Sequence, residues 1–222
     1  MLAHAFLHFQ NFYRSIFFYV NVATVPLLSA MVPLIKSRAI FYREIASGTY
    51  RRSVYGVAVH LAEVPFNIGC AIASFVIFYY LVGFSNDGEK TGYFLLLAFA
   101  TYWMFPAFGQ FLAFISPNVG VAVAFGGLLL TVCTLTMGFL IPPNAIPAWW
   151  IWLYWINPLR YVMQGFVVNE MGGDGAEGDA FLSSVDWSYD NRWWYCYVAV
   201  LMFGVAFTLG TLAATRISWL KR

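Results

Sequence analysis

Glu63 lies inside an apolar run, about 9 Å past Val57 at 1.5 Å of helix rise per residue. A carboxyl group in such a place can carry a proton or hold a cation where water is scarce, so it reads as a functional site by default. The competing reading is an interfacial carboxylate paired with His60 or a nearby arginine, because Glu63 is still close to the basic end of its run. His4 and His8 stand four apart and would share one helix face. Zinc needs three or four ligands, and no third is near, so no metal is expected. Cys70 and Cys133 sit in apolar runs, where a thiol behaves as a small hydrophobe, and Cys196 marks a segment boundary. Three cysteines without close spacing make neither a disulfide framework nor a zinc pattern. The chain has no Gly-x-x-x-x-Gly-Lys-Ser/Thr phosphate loop and no evident nucleophile–base pair, so nothing in it argues for covalent catalysis. No nucleic-acid partner is expected.

Two further groups could line a path or close one. Asn21, Thr24 and Leu27, and likewise Thr131, Thr134 and Gly138, recur at helical spacing and form polar stripes. Such stripes serve either interhelical packing or the wall of a cavity. The stretch "YWINPLRYVMQGFVVNE", residues 154–170, is aromatic at its start and then carries Asn157, Pro158, Arg160, Tyr161, Gln164, Asn169 and Glu170.

The elements that must position these residues are membrane helices. Of 222 residues, 61% are hydrophobic, 20% aromatic and only 10% charged. A soluble domain carries about 25% charged residues, and the mean hydropathy here is +0.70. A helix crosses a bilayer with about 20 apolar residues. Five runs qualify, at about Ser15–Ile35, Val57–Val82, Tyr93–Ile115, Val121–Ile141 and Trp193–Ala214. Pro26 and Pro33 predict kinks in the first. Residues 1–10, "MLAHAFLHFQ", lack the basic start of a secretory signal. The run 171–192 is acidic and Gly-rich at its start, with Asp174, Glu177, Asp179, Asp186 and Asp190 against Arg192, and reads as a flexible solvated loop.

Whether 145–170 crosses decides the topology. If it does not, one side of the membrane holds Lys36, Arg38, Arg43, Arg51, Arg52, Arg216, Lys221 and Arg222. The other holds Arg14, Lys90, Arg160 and Arg192. Eight against four makes the first side cytoplasmic. If it crosses, the count falls to six against five and Arg160 is left in the bilayer, at about 2.5–3.5 kcal/mol. The expectation is therefore a segment that enters the outer leaflet and leaves on the same side. Its aromatic start suits the interface, Pro158 breaks the backbone at the turn, and Arg160, Gln164 and Glu170 face water or an outer vestibule. The cytoplasmic stretch 36–67 carries five Lys/Arg with Tyr42, Tyr50 and Tyr55. It reads as an anchor beside anionic lipids or as a short helix that docks a cytoplasmic partner.

Two stretches carry a resemblance. "FYREIASGTYRRSVYGVAVHLAEVPFN" resembles the cytoplasmic turn and following helix of G-subfamily ATP-binding cassette exporters of the pleiotropic drug resistance type. "MGFLIPPNAIPAWWIWLYWINPLRYVMQGFVVNE" resembles the end of their fifth membrane helix and the extracellular segment after it. The resemblance covers about residue 11 to the end. It implies an all-α polytopic membrane domain with five transmembrane helices, similar to that family's helices two to six, plus a re-entrant extracellular helical hairpin at 145–170. The first helix and the upstream nucleotide-binding domain would be missing. The resemblance assigns residues 36–56 as a coupling segment, with Tyr42, Arg43, Glu44, Tyr50 and Arg51 meeting the nucleotide-binding domain. Asn21, Thr24, Leu27, Thr131, Thr134 and Met137 would line a central cavity between two halves. Asn157, Pro158, Arg160, Tyr161, Gln164 and Glu170 would shape the exit gate. No cofactor belongs to this chain itself, while ATP and Mg would serve the nucleotide-binding domain. The implied partners are the lipid bilayer, that domain in cis or in trans, a second transporter half and a hydrophobic small-molecule substrate, with the plasma membrane as location. The family's loop disulfide does not transfer, since residues 171–192 contain no cysteine. The alternative is a truncated, non-transporting membrane fragment or scaffold.

Overall fold

A computed structural model describes residues 2–84, 87–172, 176–185, 187 and 192–216, without the side chains of 2–8, 176–177 and 192–193. In chain order the helices are α1 (Leu2–Ala23), α2 (Val25–Lys36), α3 (Arg38–Ala46), α4 (Arg52–Val82), α5 (Gly88–Ile115) and α6 (Val119–Thr136). A 3₁₀ turn at Pro143–Ala145 leads to α7 (Ile151–Ile156), α8 (Pro158–Met171), α9 (Ala176–Ser184) and α10 (Arg192–Arg216). The protein is an all-α polytopic membrane domain. Among the described residues, five stretches are long and apolar enough to cross a bilayer: Phe9–Lys36, Arg52–Val82, Gly88–Ile115, Val119–Thr136 and Trp194–Arg216.

Local sequence explains where these helices bend and stop. The first span is two helices, because Pro26 at the start of α2 has no N–H to continue the ladder. Thr24 at the break turns its hydroxyl onto the Asn21 carbonyl, 2.7 Å away. α4 ends at Gly83, which takes the left-handed conformation (φ +74°) and closes the last turn. The fourth span is shorter than the expected Val121–Ile141. α6 stops at Thr136, and Gly138 adopts φ +96° just before Pro142 and Pro143 lead the chain away.

α5 is the central element, packed by α2, α4, α8 and α10. In lipid there is little hydrophobic drive between helices, so close approach of small residues does the work. Gly109 supplies the closest: a Cβ there would strike the Leu27 carbonyl of α2. Outward, α4 and α10 leave Leu61, Phe66, Leu81, Met202 and Leu209 exposed, a surface suited to acyl chains and not to water.

The contacts sort the charges by end. At one end Arg38 reaches the carbonyls after α5, and Arg52 Nη1 donates to the Arg216 carbonyl at 3.5 Å. At the other, Lys90 Nζ donates to the Glu170 carbonyl at 3.0 Å, and Asn169 Nδ2 to the Lys90 carbonyl at 2.9 Å. The solvated-loop expectation for 171–192 needs correction within its described part. α9 folds there, and Phe181 packs edge-on against Tyr13 of α1 with ring centres 5.7 Å apart. Asp174, Asp186 and Asp190, and the side chains of Glu177 and Arg192, lie outside the described residues, as do Lys221 and Arg222.

Candidate functional site

The segment between α6 and α10 is built on an elbow. α7 has 6 residues and α8 has 14. At 1.5 Å per residue α8 spans about 21 Å, short of a hydrocarbon core of about 30 Å. Asn157 sits at the bend. Its Oδ1 accepts the Leu159 N–H at 2.9 Å and caps α8, while Pro158 takes the first helical position, where a missing N–H costs nothing. Asn157 Nδ2 donates to the Cys133 carbonyl at 2.6 Å and to Thr136 Oγ1 at 3.2 Å. These sit in the last turn of α6, where carbonyls lack helical partners. From the elbow α8 runs back past Leu97 and Cys196, which crowd Gly165, to Lys90. Trp187, just after α9, donates its indole N–H to the Tyr154 hydroxyl of α7 at 3.3 Å.

Every residue of α8 is buried. Arg160, Gln164 and Glu170 therefore do not face water as expected; α1, α5, α6 and α10 enclose them. Glu170 receives the Asn169 amide at 3.1 Å. Tyr161 donates its hydroxyl to the Trp155 carbonyl at 2.9 Å, tying α8 to α7. The Arg160 guanidinium lies 4.1 Å from the ring centres of both Tyr154 and Trp155.

The expected cavity residues fall on neighbouring helices but on different faces. Leu27 and Met137 are fully buried inside the chain and fill its core, a correction to their assignment to a central cavity. Helical spacing identifies a face without saying which neighbour covers it. Thr131 is exposed on α6, and Asn21 and Thr134 are half-buried. Thr131 and Asn21 each bond a carbonyl one turn back, at 2.9 and 2.8 Å. Thr24 is buried.

The coupling residues cluster at the basic end. Arg43 and Arg51 are exposed. Tyr50 donates to Glu44 Oε2 at 2.7 Å and stacks on Tyr55, ring centres 6.0 Å apart. Burial first, and the neighbouring Glu44 next, push the Tyr50 hydroxyl above its ordinary pKa. Burial also raises Tyr42, against the pull of Arg38 and Arg52. Tyr55 packs on Phe41 of α3 at 4.3 Å and meets Ser37 Oγ at 3.3 Å. The residue that sequence reasoning counted only as a charge is Arg38. Its Nη1 donates to the Ser116 carbonyl at 2.8 Å and the Pro117 carbonyl at 3.3 Å, and its Nη2 to the Ala113 carbonyl. Its separation from Ser116 by 78 positions hides this from any local pattern.

Glu63 is half-buried on α4. No ion pair joins it to His60, whose Nε2 is buried without a hydrogen-bond partner. Across from it lies Gln110 of α5, within reach of the carboxyl but outside hydrogen-bonding geometry. Farther along the same seam, Val64, Asn67, Ile68, Phe99 and Trp103 line a cavity of about 320 Å³. Among the described residues no three His, Cys, Asp or Glu side chains converge on a metal position, and the side chains of His4 and His8 lie outside them.

Residues 2–171 match the family described as ABC-2 type transporter. "ABC transporter G family member 31" of Arabidopsis thaliana is 32% identical over 145 residues, 65% of this chain and 10% of that protein. "ABC transporter G family member 40" of Oryza sativa subsp. japonica is 32% identical over 163 residues, 73% of this chain and 11% of that protein. "Pleiotropic drug resistance protein 1" of Nicotiana tabacum is 31% identical over 145 residues, 65% of this chain and 10% of that protein. The matched region thus spans about a tenth of the length of these relatives.

Proposed function

Because this chain belongs to the ABC-2 type transporter family and is a membrane domain of the ATP-binding cassette G type, we propose that it is the translocating part of an ATP-driven exporter of hydrophobic or amphipathic small molecules or lipids. ATP and Mg are held by a nucleotide-binding domain, in cis or in trans, and a second transporter half completes the pathway. The plasma membrane is the proposed location.

The observation that carries the coupling role is the fastening of α3. Arg38 ties this short helix to three carbonyls at the end of α5 and the turn into α6, and Tyr55 packs it onto the start of α4. A push on the exposed Arg43 and Arg51 therefore reaches three spans through side-chain contacts and need not depend on backbone linkage alone. Coupling of this kind travels through a contiguous packed network. At the far end the α7–α8 elbow, pinned by Asn157 to α6, is proposed as part of the exit gate, with Asn21, Thr131 and Thr134 toward the substrate path.

Proteoliposomes holding this domain joined to a nucleotide-binding domain test the reading. Substrate-stimulated ATP hydrolysis should fall to the basal rate when residues 42–52 are deleted. Stimulation that survives the deletion removes the coupling role.

A further inference from the structure

Arg160 is a buried cation whose needs the fold meets only in part. It is 6% exposed, and its Nε and Nη1 are shut off from solvent without a hydrogen-bond acceptor. Among the described residues no carboxylate pairs with it. It stands at the third position of α8, where the positive end of the helix dipole adds to its own charge. The rings of Tyr154, Trp155 and Tyr161 lie 4.1, 4.1 and 5.0 Å from its central carbon. Ring faces attract the charge, but they accept nothing from N–H groups in the guanidinium plane. A guanidinium offers two forks, Nε with Nη2 and Nη1 with Nη2, and each contains one of the orphaned nitrogens. Planar donors of this kind, buried and unmet, call for an oxyanion with phosphate or carboxylate geometry.

A second unmet group adds to the first. Gln164 is buried one turn along α8, and its Oε1 has no donor. Positions four apart share a face, about 5–6 Å between Cβ atoms, and helical side chains lean toward the N-terminus, here toward Arg160. The complementary molecule therefore carries an oxyanion and, close by, an N–H or O–H donor. The surroundings say where it comes from. Trp155 is 53% exposed and forms the outer wall of the cage, and Trp149, Trp152 and Ile156 beside it are exposed too. Such an aromatic cluster belongs at the headgroup level of a bilayer.

We propose that Arg160 and Gln164 form a binding site for the headgroup of a membrane phospholipid, the phosphodiester taken by Arg160 and an ethanolamine- or glycerol-type donor by Gln164. The half-exposed Trp155 is the wall that the headgroup displaces. The site requires only that α7 lie in a bilayer, and it stands or falls apart from transport.

The purified chain in detergent, titrated and weighed by native mass spectrometry, tests this. The probes are an ethanolamine phospholipid, a choline phospholipid, a diacylglycerol with the same acyl chains, and inorganic phosphate. The wild type should retain the ethanolamine lipid about tenfold or more better than diacylglycerol. The choline lipid, which lacks an N–H, should fall between. The gap should close in Arg160→Gln and shrink in Arg160→Lys, whose ammonium has no fork; Arg14→Gln, exposed on α1, should keep it. If Arg160→Gln does not fold, Arg160→Lys carries the comparison. No gap in the wild type, or an undiminished gap in the Arg160 variants, overturns the site. Equal retention of ethanolamine and choline lipids overturns the headgroup assignment. Inorganic phosphate raising the melting temperature as far as the ethanolamine lipid does makes a free oxyanion the ligand and overturns the lipid.

Discussion

Asn157 shows how one side chain can hold two elements together. Its oxygen caps α8 and its nitrogen binds the end of α6. A side-chain amide accepts at its oxygen and donates at its nitrogen, so it can serve both helices at once. Asn157→Ala should destabilise the fold by about 2 kcal/mol, from a lost cap and lost buried hydrogen bonds. Asn157→Asp keeps the cap but sets an acceptor against the Cys133 carbonyl, so it should be no more stable than alanine. Thermal unfolding in detergent measures both, and an aspartate variant as stable as the wild type would show that the bonds to α6 carry nothing. The turn at Asn157-Pro158 was legible in the sequence because proline and asparagine act through local backbone chemistry. The burial of Arg160, Gln164 and Glu170 was not, because polarity argues for exposure only while nothing is known of the neighbours. Glu63 teaches the same. Its neighbour across the seam, Gln110, lies on another helix, and no sequence spacing relates the two.

Helix contacts give two further expectations. α2 and α5 touch backbone to backbone at Gly109, against Leu27. Gly109→Ala should force them apart and destabilise by about 1–3 kcal/mol, the range for overpacking. Gly69→Ala, on α4 with open space around it, should be neutral or slightly stabilising, since alanine is the better helix former. Melting curves of the pair separate a packing effect from helix propensity. The second expectation concerns α3. Arg38→Ala removes the ties to the end of α5 but leaves Phe41 and Tyr55 in place. Amide exchange over residues 38–46 should quicken by about tenfold, in line with local opening made easier by one lost charged hydrogen bond, while exchange in α5 stays slow. Equal protection of α3 in both proteins would mean that the aromatic contacts alone hold it. The breaks at Pro26 and Gly83 could be read ahead, being single-residue effects. The early stop of α6 could not, because Gly138 does not announce a positive φ in an apolar run.

For the molecule as a whole, the arrangement of charges predicts a sidedness that labelling can check. Gln164 and Glu170 are enclosed, so they are poor reporters of topology. Ala180 on α9 and Trp149 before α7 are exposed, and cysteines placed there should react with an impermeant thiol reagent added outside intact cells. A cysteine at Arg43 should react only after the membrane is opened. Labelling of position 180 from the cytoplasmic side alone would mean that 145–170 crosses and that the topology is inverted beyond it.

Membership of the membrane class, the number of spans and the two ends of the bundle were present in the chain as written. Each depends on quantities that add along the sequence: apolar length against bilayer thickness, and positive charge on either side. The family pattern at 41–67 and 137–170 was equally local. What folding decided is which face of each helix meets which other. It buried Leu27 and Met137 in the core, closed α8 on every side, turned Arg38 into a fastening and left Arg160 among aromatic rings with donors unmet. These outcomes rest on contacts between residues far apart in the chain, made by close packing in a medium that offers polar groups no water. A periodic pattern names the members of a face, but the neighbour that covers it is set only when the helices come together.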